Sequence, residues 1–264
     1  MIAREGVGEN ALPAIAEALE PVAAEWTEKL GVDVDFAVKT GWRIRHDQER
    51  LMVQELLHGF VDVAGERGED TFAGIERRDP SRLPWMEAAR LLMNRGAGLL
   101  LAMEAAAKTG RGRSAGTAGG RDFVNRNINK CILGAGDAFL ISRGSYCWRA
   151  ADRADAYEAH GGSGLYRAAV EWKFRPSGAA VCGIEKARRA WLAAKERVLA
   201  AADSRSRRRS LRSAARWIAR RRTLGRIATF GLDPVVRVLA RIAECIEKRT
   251  TMPADLRRDW DVFN

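Results

Sequence analysis

Asn94, Arg95, Lys130 and Asp137 stand in segments that are otherwise apolar. Asn94-Arg95 interrupts Leu91-Leu92-Met93 and Gly96-Ala97-Gly98-Leu99-Leu100-Leu101. Arg126, Lys130 and Asp137 are spaced i, i+4 and i+11 through a run of Ile, Leu, Phe and Ala, which puts them on one helical face. Charged groups in such helices either neutralise one another or line a pocket. In the first case Arg95 or Lys130 pairs with Asp137 and fixes two helices in register. In the second, Arg95 and Lys130 present donors to a phosphate or another anion, with Asn94 beside them. Two such helices packed together form a polar cleft. A separate pair of carboxylates, Asp33 and Asp35, alternates with Val32, Val34, Phe36 and Val38. That spacing describes either a solvated strand face or two oxygen donors aimed at one place.

The elements that must position these groups can be read from periodicity. Residues 9–30 repeat apolar side chains at helical spacing (Leu12, Ile15, Ala16, Leu19, Val22, Trp26, Leu30), and Gly31 stops them. Residues 32–38 alternate as a strand, 46–58 read as a helix, and 60–65 as a weaker second strand. After Pro84 no strand pattern recurs. Helices are expected over 84–108, 122–143, 148–159, 165–174, 184–202, 234–248 and 253–260, with a Gly-rich linker at 109–120. In the 184–202 helix the inward set is Ile184, Ala187, Trp191, Ala194, Val198 and Leu199. The expected fold is mainly α, a helical bundle over 79–264 preceded by a small α/β fragment over 1–78.

Composition limits the functional classes. The chain has 264 residues, enough for a sizeable core. No apolar run approaches the length of a membrane span, and no basic start followed by an apolar core marks a secretory signal, so a cytoplasmic protein without a membrane partner is expected. Cys131, Cys147, Cys182 and Cys245 are too widely spaced for a C-x-x-C zinc or redox motif and read as free thiols. The net charge is +11, and ten arginines without an acid lie between Ser204 and Leu232. Arg208, Arg212, Arg216 and Arg220 lead a candidate surface for RNA or another polyanion over 204–230, and a solvated arginine-rich face is the other reading.

Leu91-Leu92-x-Asn94-Arg95, together with Lys130, Gly136-Asp137-Ala138, Leu140-Ile141, Gly144 and Tyr146, resembles the nucleotidyltransferase-like family. Its members join a small α/β nucleotidyltransferase domain to a helical substrate-binding domain. The helical part is similar to the bundles of aminoglycoside nucleotidyltransferases and of HEPN-type proteins. The resemblance covers about residues 9–175. It implies transfer of a nucleoside monophosphate from ATP, with Mg²⁺, to a hydroxyl on a small-molecule or protein acceptor. It places Asp33 and Asp35 in the catalytic carboxylate position, and Asn94, Arg95, Lys130 and Asp137 on the nucleotide or substrate side. The family's Gly-Ser turn and first Asp-x-Asp do not occur ahead of Asp33 in this sequence. The expectation is therefore a truncated or catalytically impaired transferase, with a non-catalytic helical module binding RNA or another polyanion as the alternative. A third arrangement makes Asp33 and Asp35 themselves the metal pair. Arg153-x6-His160 also resembles the Arg-His signature of HEPN ribonucleases, which implies contacts to a scissile phosphate; a plain helix end is the competing reading.

Overall fold

The computed structural model describes residues 2–3, 8–31, 34–36, 38–59, 72–109, 118–201 and 234–262. Helices dominate, and the fold is a mainly α helical bundle. The chain divides into two compact units, Met1–Arg78 and Asp79–Asn264.

In the first unit, α1 (Leu12–Leu30) ends at Gly31, whose positive φ of 65° lets its N–H reach Thr27 O. The helical period of α1 is as expected, but none of its residues is buried, and Trp26 remains 46% exposed. The strand expected over 32–38 is corrected where it is described. Val34, Asp35 and Phe36 are irregular, and the Val34 N–H donates to Thr27 Oγ1 at 2.9 Å, which ties the segment to α1 instead of to a strand. Alternation survives in exposure alone: Val34 and Phe36 are half-buried, while Asp35 is exposed. The strand pairing that forms is a two-residue parallel ladder, β1 (Ile2–Ala3) with β2 (Lys39–Thr40). The second strand expected at 60–65 lies outside the described residues.

The helix expected over 46–58 starts later, as α3 (Leu51–Gly59), and a short helix that the sequence did not suggest, α2 (Gly41–His46), precedes it across a break. The break serves Gln48. Its amide donates to Glu76 O at 2.8 Å and accepts from Arg78 N–H at 2.8 Å, so the turn between α2 and α3 holds the segment leading to the second unit. Ile44, Val53, Leu57 and Phe72 form the core of this unit.

The second unit is built on α4 (Trp85–Thr109) and α5 (Ala118–Arg143), its most extensively packed pair. Against them lie α6 (Ala150–Ala159), α7 (Gly164–Phe174), α8 (residues 184–201), α9 (Pro234–Lys248) and α10 (Ala254–Asp261). The apolar spacing of α9 translates directly into burial of Val235, Val238, Leu239, Ile242, Ala243 and Ile246. In α8, Ala187, Trp191, Ala194 and Val198 are buried, and Ile184 and Leu199 are half-buried. Trp191 is the anchor: its ring is fully buried and its Nε1–H donates to Leu92 O on α4 at 3.0 Å.

Candidate functional site

Antiparallel packing of α4 on α5 brings three of the sequence-derived residues to one place. As numbering rises along α4 it falls along α5: Gly98 faces Asn127 and Gly134 faces Arg95. These two glycines are required by the close approach. A Cβ on Gly98 would stand 2.5 Å from Asn127 Oδ1, and one on Gly134 would collide with Arg95 Cγ. Each large polar side chain thus lies over a glycine of the other helix. The result is a cleft of about 320 Å³ lined by Asn94, Arg95, Gly98 and Leu101 from α4, Phe123, Asn127 and Lys130 from α5, and Trp260 from α10. Arg95 is half-buried and Lys130 exposed at the mouth. The cleft therefore combines a guanidinium, an ammonium, two carboxamides and two aromatic rings, a set suited to an anion attached to a planar group.

Asp137 belongs elsewhere. It does not line the cleft; it pairs with Arg153 of α6, whose Nε lies 3.1 Å from Asp137 Oδ1. Seven residues separate Lys130 from Asp137, two turns of helix, so a shared face still leaves them about 10 Å apart along its axis. Arg153 also donates to the Tyr146 hydroxyl and to Cys147 O at 3.3 Å, and Tyr166 of α7 donates its hydroxyl to Asp137. Arg153 is only 1% exposed, so this is a buried charge whose partners hold α5, α6 and α7 together. Burial, with the Asp137 carboxylate beside it, pushes the Tyr166 phenol well above the ordinary tyrosine range.

The Arg153 and His160 pair is distributed between two structural roles. Arg153 faces Asp137 and Tyr146, while His160 Nε2 lies 3.0 Å from Ser145 Oγ at the end of α6. Asp35 is exposed in the first unit. Asp33, Arg208, Arg212, Arg216 and Arg220 lie outside the described residues. Among the described residues no group of three or more His, Cys, Asp or Glu side chains is placed to hold a metal ion. The four cysteines are free thiols, with Cys131 and Cys245 buried. Burial pushes the Cys131 thiol far up, which leaves it an inert core group.

The residues that sequence reasoning missed are Phe123, Asn127 and Trp260 in the cleft and Tyr166 beside Asp137; Arg153 was singled out, but not as a partner of Asp137. Asn127 carried a usable signal, because it is one helical turn from Lys130. Trp260 carried none, since it reaches the cleft from a helix far along the chain. No family model, no curated protein and no solved structure matches this chain.

Proposed function

We propose that this chain is a nucleotidyltransferase-like protein whose helical unit holds the phosphate-bearing end of a nucleotide in the cleft between α4, α5 and α10. The convergence of Arg95, Asn94, Asn127 and Lys130 on one cavity with Phe123 and Trp260 carries this reading. Guanidinium and ammonium groups supply charge-assisted hydrogen bonds to phosphate oxygens. The amides orient a sugar or phosphate edge, and the rings offer a stacking face for a base. Ligand pockets commonly run from about 300 to 1,000 Å³, so a cavity of about 320 Å³ takes part of an ATP molecule and leaves the rest at the surface.

On this reading the reaction moves a nucleoside monophosphate to a hydroxyl of a small-molecule or protein acceptor, and the family resemblance gives Asp33 or Asp35 the role of catalytic carboxylate. Mg²⁺, when bound, would neutralise charge developing on the phosphates. Asp35 is exposed, and among the described residues no group of three or more His, Cys, Asp or Glu side chains is placed to hold the ion. Binding and orientation of the nucleotide fall to Arg95, Lys130, Asn94 and Asn127.

Thermal unfolding with ATP, pyrophosphate and adenosine tests the reading. ATP and pyrophosphate should raise the Tm of the full chain and adenosine should raise it much less. A shift with adenosine equal to that with ATP, or none with any of the three, would refute phosphate recognition. A second reading, a non-catalytic module for RNA or another polyanion, is favoured by the ten arginines without an acid between Ser204 and Leu232. It requires RNA retention that falls steeply with salt.

A further inference from the structure

The geometry points to a second ligand site, distinct from the α4–α5 cleft, that takes a small aromatic anion: a single ring bearing a carboxylate or phosphate. The site is a cavity of about 210 Å³ where α5, α7 and α8 meet the turn after α6. Three rings wall it, Phe139, Tyr157 and Tyr166. Phe139 and Tyr157 meet edge to face with centroids 5.6 Å apart, and Tyr157 and Tyr166 stand 4.8 Å apart. Opposite them α8 presents Ala190, Ala193 and Ala194, whose short side chains leave the space open, and then Arg197. A dry cavity of roughly 150 Å³ accepts a benzene ring. At about 210 Å³ this one accommodates a ring with one substituent.

The charge of the ligand follows from the rim. Arg197 lies over the Phe139 ring with Cζ 5.3 Å from its centroid, and Arg143 lies over the same ring at 5.8 Å. Among the described residues no carboxylate pairs with either guanidinium. The acids that adjoin the lining residues in sequence are committed: Asp137 to Arg153, Glu158 to Arg167 and Glu196 to Lys195. The Tyr157 hydroxyl has no hydrogen-bond partner among the described residues, and burial raises its pKa, so it remains a donor at neutral pH. An apolar, ring-lined floor with a guanidinium and a phenol at its edge matches an aromatic ring below and an anionic group above. A neutral ring would fill the floor and leave the exposed guanidinium to water. An inorganic anion would meet Arg197 and leave the floor empty.

Ligand-observed NMR titration of the full chain with benzoate, phenyl phosphate and neutral benzamide is the test. The two anions should bind saturably, with benzamide at least about fivefold weaker. Arg197→Gln, a change at an exposed side chain, should weaken benzoate about tenfold and bring it level with benzamide. Ala193→Leu, which fills the cavity from an exposed position, should abolish binding of all three ligands while leaving ATP binding intact. Absence of saturable binding to the unmodified chain would overturn the inference. So would benzamide binding as tightly as benzoate, or an unchanged benzoate affinity in Arg197→Gln.

Discussion

At the scale of single residues, the decisive distinction is between a charge enclosed in the core and one exposed at the cleft mouth. Arg153 is enclosed and its partners are protein groups, so its contribution is structural. Removing the carboxylate by Asp137→Ala leaves a buried guanidinium without its counter-charge, and a loss of about 3–5 kcal/mol is expected, read as a fall in the denaturant midpoint. Tyr166 adds a pH dependence whose sign is fixed. Its folded pKa is raised above the unfolded value, first by burial and then by Asp137. The neutral phenol is therefore the form the fold prefers. Its stabilising contribution is complete below about pH 10, the ordinary tyrosine value, and declines as pH rises beyond it. Tyr166→Phe should remove that part of the alkaline decline in a pH series of unfolding curves, although it also removes the hydrogen bond to Asp137. Lys130 differs in kind. It is exposed at the mouth of the cleft, so Lys130→Gln should change Tm little and phosphate affinity considerably.

At the scale of elements, small residues and amides govern how closely helices meet. Gly134→Ala places a methyl group against Arg95 Cγ, and overpacking of this kind costs about 1–3 kcal/mol. Because Arg95 must shift to relieve it, nucleotide affinity should fall together with stability. Asn129 plays a comparable part for the segment before α8. It is fully buried, donates to Ala179 O at 3.2 Å and accepts from Val181 N–H at 2.8 Å. Asn129→Ala orphans both backbone groups, at about 1–3 kcal/mol each if they stay buried, and hydrogen exchange should quicken selectively around Val181. The long helices were legible because each carries enough turns for the 3.6-residue period to stand out, as in α9 and α8. The strand at 32–38 misled because alternation reports a side chain's two-sided environment, while a strand also needs a partner with matching backbone groups. The cleft was half legible. Asn94, Arg95 and Lys130 stood out as polar residues among apolar ones, whereas the destination of Asp137 depended on Arg153, a residue on another helix whose burial no local pattern announces.

At the scale of the whole molecule, both candidate sites fall in one of the two units. The candidate cleft and the cavity beside Arg197 both lie within Asp79–Asn264, which has its own core. A fragment of residues 79–264 should therefore unfold cooperatively and bind ATP as the full chain does, and loss of either property in the fragment would show that the first unit supports the cleft. No described helix is long and apolar enough to cross a membrane. The net charge of +11 adds a long-range attraction for anions that salt screens, whereas direct contacts inside the cleft are screened less. Calorimetric titration of ATP into the unmodified chain and into Lys130→Gln, at low and at physiological salt, separates the two contributions and tests the nucleotide cleft most directly. Binding should saturate, persist at physiological salt and weaken about tenfold in the variant, the loss of one charge-assisted hydrogen bond. Equal affinities for both proteins, or binding that vanishes at physiological salt, would contradict it.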